Sequence, residues 1–345
     1  MSALSESITI NGPSLALVAP VDLTQACLAT PAFRAIRRAR PDLSIVIICP
    51  KDSSPLWTIH FPQVLSYSPK DSPQQLAKRF SSGTFHSAII LEDSRAARAL
   101  SRLGVPQRIG FDLPELDKLL TDKITYTRTN GPQPHRVTRY LNLAEQLACD
   151  PRHPENFAPP TAQSLKPSVP RIALAPDSDL GPACEWPNQS FLKLTEILRS
   201  HLDPEFFLLS LPGKSPHTDK LAATLEPESS GNKSENPSIE GCDLGQLLSS
   251  LPKFSLLIAP YGSLVHLAAH LGLPTITLMG PQDPRTHRPL GKIHSILNTH
   301  AECSPCNLAQ CPLDHRCMKE LSPETVAQAA LSFFPEQGAP KTTAI

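Results

Sequence analysis

Between Leu256 and Glu324 the chain gathers most of the residues that could do chemistry. Leu256 to Ala259 is a short apolar run that reads as a buried strand, broken by Gly262, with Ser263 as the expected N-cap of a helix running from Leu264 to Leu271. A helix that starts where a parallel strand ends aims its unpaired N–H groups at the carboxyl edge of the sheet, where a diphosphate is stabilised. His266 sits in the first turn of that helix. Further on, after a short strand-like segment, Cys303, Cys306, Cys311 and Cys317 form a C-x2-C-x4-C-x5-C run. Four thiols so close in one loop can ligate a tetrahedral ion, with His315 as a substitute ligand. The spacing matches no zinc signature well, so reduced thiols or a disulfide pair stand beside a structural zinc as readings of the cluster.

The elements that must position these residues alternate. In the first half, Leu15 to Ala19 reads as a strand, Ala26 to Arg40 as a helix and Ser44 to Cys49 as a second strand. Gln74 to Phe80 and Ser94 to Leu103 read as helices, and Ser87 to Leu91 and Arg108 to Phe111 as strands. Alternation of this kind predicts a parallel α/β sheet with right-handed crossovers. Residues 150–170 are proline-rich and without periodicity, which predicts a linker. The alternation then restarts with a strand at Arg171 to Ala175, a helix at Gln189 to Ser200 and a strand at Glu205 to Leu211. Lys220 to Leu225 and Leu244 to Leu251 follow as helices, separated by a polar loop at Glu226 to Asn236, and Pro274 to Met279 is another strand. The final helix follows Ser322 as N-cap, with Pro323 in the first helical position.

Four short blocks then stand out by their wording: His266-Leu267-Ala268-Ala269, Gly280-Pro281-Gln282-Asp283-Pro284, Cys303-Ser304-Pro305-Cys306 and Ser322-Pro323-Glu324. In order and spacing they resemble the ADP-heptose:lipopolysaccharide heptosyltransferases, glycosyltransferase family 9. The first half agrees: Ala26 to Pro41, ACLATPAFRAIRRARP, is close to the family's "ATPALRALRRARP" helix. Asp179-Leu180-Gly181-Pro182-Ala183, ending at Trp186-Pro187, looks like the second-domain start of the heptosyltransferase II branch, and Arg139 to Ala144 like its interdomain helix. The resemblance implies an α/β fold of the GT-B type, two Rossmann-like domains facing across a cleft. The expected division is an acceptor-side domain over 1–150, a linker over 151–170, and a nucleotide-sugar-binding domain over 171–345 that carries the cysteine cluster and the terminal helix. It implies an ADP-heptose-like donor, a lipopolysaccharide core-type acceptor and no required cofactor. The donor would be held by Ser178, Asp179, Gly181, Cys184, Tyr261, Gly262, Ser263, Leu264, His266, Gly280 and Pro281.

The chain departs from the family at charged positions. Counting back from Pro31, the family's Gly-Asp pair, whose Asp is its expected general base, is replaced by Thr24-Gln25. Glutamine accepts no proton at neutral pH, and Asp22 in the same loop is the substitute base. Counting back from Trp186, Cys184 replaces a Lys and Glu185 an Arg. Tyr261 replaces the Asp of the Asp-Ser-Gly triplet. Inverting transfer needs a base for the acceptor hydroxyl and positive potential for the departing diphosphate, and these losses weaken both. Two functions are therefore expected to compete: a sugar transferase, and a degenerate member that binds a nucleotide sugar or a partner enzyme without turnover. A nicotinamide-dependent dehydrogenase is excluded, because no G-x-G-x-x-G follows the first strand.

Length and composition frame this. The 345 residues suit two domains. Lys+Arg and Asp+Glu balance at 32 each, so no global field favours nucleic acid as a partner. Arg34, Arg37 and Arg38 share a helix face, either as a site for an anionic acceptor or as a solvated surface. No apolar run approaches the roughly 20 residues that span a bilayer, and residues 1–14 lack the basic flank and apolar core of a signal peptide. The expected location is cytoplasmic, with peripheral contact at the inner face of the inner membrane as the place to meet such an acceptor.

Overall fold

In the computed structural model of the chain, residues 7–81, 83–125, 132–160, 168–211, 213, 216–225 and 243–335 are described. They fall into two compact units, Met1–Pro160 and Thr161–Ile345. The expected polar loop at Glu226 to Asn236 lies outside the described residues.

The first unit is a six-stranded, all-parallel sheet built from β1 (Ser14–Val18), β2 (Ser44–Pro50), β3 (Val64–Tyr67), β4 (Ser87–Ile90), β5 (Gln107–Phe111) and β6 (Asp122–Ile124). Its helices are α1 (Leu23–Ala39), α2 (Ser54–Thr58), α3 (Pro73–Phe80), α4 (Arg95–Arg102) and α5 (Val137–Gln146). The central strands β1 and β4 are near-continuous apolar runs because both of their faces are covered, as parallel sheets require. The strand order is β3-β2-β1-β4-β5-β6. It reverses direction between β1 and β4, and the crevice outside their carboxyl ends is where open α/β sheets bind ligands.

The second unit holds β7 (Arg171–Leu174), β8 (Glu205–Leu208), β9 (Leu256–Pro260), β10 (Thr275–Leu278) and β11 (His294–Leu297), again all parallel, in the order β11-β10-β9-β7-β8. Around them lie α6 (Asn188–His201), α7 (Pro216–Leu225), α8 (Leu244–Ser250), α9 (Ser263–His270), α10 (Pro284–His287), α11 (Arg316–Lys319) and α12 (Pro323–Leu331). Here the order reverses between β7 and β9. Trp186, stacked edge-on against Phe191 at 4.8 Å, joins Ile172, Leu174, Ile258 and Met318 in the core.

Two strands escaped the sequence reading. β3 and β6 are edge strands of four and three residues, too short and too half-exposed to show an apolar run. The expected linker also begins inside a folded part. Residues 154–157 form a 3₁₀ turn, Arg34 Nη1 donates to the Ala158 carbonyl at 2.5 Å and Asn156 Nδ2 to the Asp150 carbonyl at 3.0 Å. Proline richness there stiffens an ordered extension that packs on α1.

Candidate functional site

At the switch point of the second sheet, β9 ends at Pro260, Tyr261 and Gly262 turn the chain, and α9 begins at Ser263. Ser263 is therefore the first helical residue and not the expected N-cap; that position belongs to Gly262, which has no side chain to cap with. The missing cap comes from 84 residues away: Asp179 Oδ1 accepts from the Ser263 N–H at 3.0 Å, and Asp179 Oδ2 accepts from the Ser263 hydroxyl. A Cβ at position 262 would lie 2.5 Å from Asp179 Oδ1, so the glycine is what lets the carboxylate reach the helix. Asp177 does the same for α7, accepting from the backbone N–H of His217 at 3.0 Å and of Thr218 at 3.1 Å. The loop after β7 thus sends one carboxylate to each of two helix N-termini, where negative charge is favoured. A small pocket beside them is lined by Asp177, Asp179, Ala259, Pro260, Gly262 and Leu264, and among the described residues no lysine or arginine lines it.

The remaining expected donor residues divide. Ser178, buried, donates from its hydroxyl to the Tyr261 carbonyl at 2.9 Å and ties the two loops of the switch point together. Tyr261 is buried, with its ring edge-on to His266 at 5.4 Å and to His287 at 5.6 Å. His266 Nε2 lies 3.3 Å from the Tyr261 hydroxyl, and the ring is buried. Cys184 is buried against Gln282, whose Nε2 donates to Sγ at 3.2 Å; burial raises the thiol's pKa, so the family's cation is replaced here by a neutral group. Glu185, at the family's Arg position, pairs with His217 Nε2 at 2.9 Å.

Gly181, Gly280 and Pro281 go to the cysteine-bearing loop. Gly181 has φ +106°, and a Cβ there would meet the Ala309 carbonyl oxygen at 2.6 Å. A Cβ on Gly280 would meet Met318 Sδ at 2.6 Å, and the Pro281 carbonyl accepts from the Asn307 N–H at 2.8 Å. The family's glycines at these positions here allow one loop to lie on another. His315, expected as a substitute metal ligand, has its Nε2 2.8 Å from the Ala183 carbonyl. Cys303 and Cys306 are exposed and Cys317 buried. Burial pushes the Cys317 thiol up to about 11, and the charges of Cys303, Cys311 and Cys306 add to the shift. Among the described residues, no group of three or more His, Cys, Asp or Glu is spaced to hold a metal ion.

At the switch point of the first sheet, Asp22 is the N-cap of α1 and accepts from the Gln25 N–H at 2.8 Å. Gln25 Oε1 accepts from the Tyr140 hydroxyl at 2.8 Å, an α5 contact across 115 residues. Glu92, on the loop after β4, accepts from the Val21 N–H through Oε1 at 2.8 Å. Burial raises the pKa of Glu92; the Val21 N–H and the Arg139 charge lower it, and the Asp22 charge raises it. The basic face of α1 is occupied internally: Arg34 on Ala158, Arg37 on the His60 carbonyl, and Arg38 on Asp150 with an ion pair at 3.5 Å. Glu92 and Asp177 were missed by the sequence reading, although each is a carboxylate within three residues of a strand's carboxyl end, which is a usable signal.

Two α/β units, each with a parallel sheet and loops gathered at a switch point, have the architecture of the GT-B fold class. The sequence model of glycosyltransferase family 9 (heptosyltransferase) matches residues 74–316, and the chain belongs to that family. Among solved structures it is similar to ADP-heptose LPS heptosyltransferase II of E. coli, with a TM-score of 0.74, 18% identity, and coverage of 94% of this chain and 100% of that one. A family 9 glycosyl transferase from Veillonella parvula gives 0.76 at 17% identity, covering 94% and 98%. The E. coli heptosyltransferase WaaC with ADP gives 0.67 at 17%, covering 93% and 99%. No curated protein matches the sequence. No helix among the described residues is long and apolar enough to cross a membrane.

Proposed function

We propose that the chain transfers heptose, or a similar sugar, from a nucleotide diphosphate to a lipopolysaccharide core-type acceptor. The observation that carries this reading is the Gly262-Ser263 turn, which brings the N-terminus of α9 to the carboxyl edge of a parallel sheet in a chain of family 9. Peptide N–H groups at such a helix start stabilise a diphosphate both in the bound donor and as a leaving group. The donor's diphosphate has to displace Asp179 from Ser263 to use them.

That displacement, with the neutral Cys184, favours a second reading as well: binding of a nucleotide sugar without turnover. ADP binding by calorimetry, followed by ADP release from ADP-heptose with a heptose-deficient acceptor, separates the two. Release supports transfer. Binding without release supports the degenerate binder, and no binding of ADP rejects both. A structural zinc at Cys303, Cys306, Cys311 and Cys317 stays within the proposal as a matter for elemental analysis.

A further inference from the structure

We infer that Glu92 is the general base of this chain, standing in for the aspartate that Gln25 replaces. The inference rests on the transfer reading above and starts from an elimination among carboxylates. Gln25 accepts no proton. Asp22 is committed to the N-terminus of α1, and Asp93 is held by both arms of Arg98 at 2.7 and 2.6 Å. Asp22 and Glu92 each accept one backbone N–H through one oxygen, but Asp22 is exposed and serves its own helix, whereas Glu92 is half-buried and caps none: Val21 N–H from the facing loop fixes its Oε1, and Oε2 makes no hydrogen bond among the described residues.

Its place in the fold supports the same role. β1 and β4 are neighbours on opposite sides of the strand-order reversal, so Val21 and Glu92 sit on the two loops that flank the first sheet's ligand crevice. The bond between them pins the carboxylate to the loop that carries position 25. The charge of Glu92 also reaches Tyr140, whose hydroxyl holds the Gln25 side chain, so the four groups form one cluster. Facing Glu92 are Asp22 from the loop after β1, Arg139 and Tyr140 from α5, and Tyr67 from the end of β3. Half-burial among them moves the carboxyl upward, toward the range in which a base works near neutral pH.

In the step, the free carboxylate oxygen takes the proton of the acceptor hydroxyl while the electron pair of the hydroxyl oxygen forms the bond to the anomeric carbon. The bond from that carbon to the phosphate oxygen breaks, and its pair leaves with the nucleoside diphosphate. The proton then passes from Glu92 to water.

The test compares wild type and Glu92→Gln for ADP binding and for ADP release from ADP-heptose with the heptose-deficient acceptor. The amide can still accept from Val21, so ADP affinity is expected to hold while kcat falls by about 10²–10⁴-fold. The acid limb of the wild-type kcat/KM profile, set by Glu92 among Asp22, Arg139, Tyr140 and Tyr67, is expected to vanish in the variant. If Glu92→Gln does not fold, Glu92→Asp draws the carboxylate back by one methylene and should lower kcat with an acid limb retained. Wild-type kcat in either variant overturns the assignment. Failure of the transfer reading itself would look different and would show in the wild type, as ADP binding without release from the donor or as no ADP binding.

Discussion

At the carboxyl edge of the first sheet a carboxylate keeps one oxygen open, whereas at the edge of the second both carboxylates are consumed by helix N-termini. The two places are built alike. Each lies where a parallel sheet reverses its strand order, and each joins a strand end to a helix start through loops distant in sequence. What differs is whether the loop's acid is needed by the backbone. Asp22 in the first unit and Asp177 and Asp179 in the second are caps, and a cap's charge is already matched by N–H groups. Glu92 caps no helix: its one bonded oxygen is held by the Val21 N–H of the facing loop. Proximity to a switch point alone therefore does not single out a carboxylate; freedom from a helix start does.

The comparison presumes that each edge belongs to a separately packed unit, and the largest expected effects test that. Trp57 packs between Phe33 at 5.3 Å and Phe61 at 6.3 Å in the first unit, and Trp186 donates from Nε1 to the Leu321 carbonyl at 2.9 Å in the second. Trp57→Ala and Trp186→Ala should each cost about 3–5 kcal/mol. Calorimetry joined to hydrogen exchange should show each loss in the amides of its own unit. A loss spread evenly over both would merge the two edges into one cooperative structure.

A smaller effect is expected at α9. Asp179→Asn removes an anion from the helix start that the donor's diphosphate would use, and the affinity for ADP should rise by about tenfold, or about 1.4 kcal/mol. Unchanged affinity in titration calorimetry would mean that the diphosphate is held elsewhere, and the contrast between the two edges would lose its functional meaning.

Stability should move in the opposite sense at Glu92. Its folded-state pKa lies above the unfolded value of about 4.3, so ionisation disfavours the folded state. The stability of the protonated form is fully present below that unfolded value and is lost as pH rises through the raised folded pKa. Glu92→Gln should therefore melt slightly above wild type at neutral pH, with the gain vanishing as pH falls toward about 4. A residue whose removal stabilises the fold and abolishes turnover is kept for chemistry. Equal melting temperatures across this range would return Glu92 to an ordinary surface acid.

The smallest effect is one of labelling. Cys303 and Cys306 are exposed and should alkylate at neutral pH, while Cys49, pushed up to about 12 by burial, should not. Protection of Cys303 and Cys306, with zinc found by elemental analysis, would sharpen the second unit's account by adding a metal-held loop over Gly181 and Gly280.

Much of the fold was legible in the chain. The apolar runs at Leu15 and Leu256 mark strands because buried parallel strands need apolar side chains on both faces. Ser322-Pro323 marks the start of α12 because capping is a local matter, and the structure has Ser322 accepting from the Thr325 N–H. β3 and β6 were illegible because edge strands need neither length nor continuous apolarity. Position-by-position departures from the family at Gln25, Cys184 and Tyr261 were also readable, since they are statements about residue type.

What those types do was decided only in three dimensions. Asp179 meets Ser263 across 84 residues, Glu92 meets Val21 across 71 and Tyr140 meets Gln25 across 115. The sequence determined where strands end and helices begin, because backbone hydrogen bonding and burial periodicity act over a few residues. The tertiary structure determined which carboxylate was committed to a cap and which was left open, because that depends on which N–H groups the sheet order brings within 3 Å of each loop.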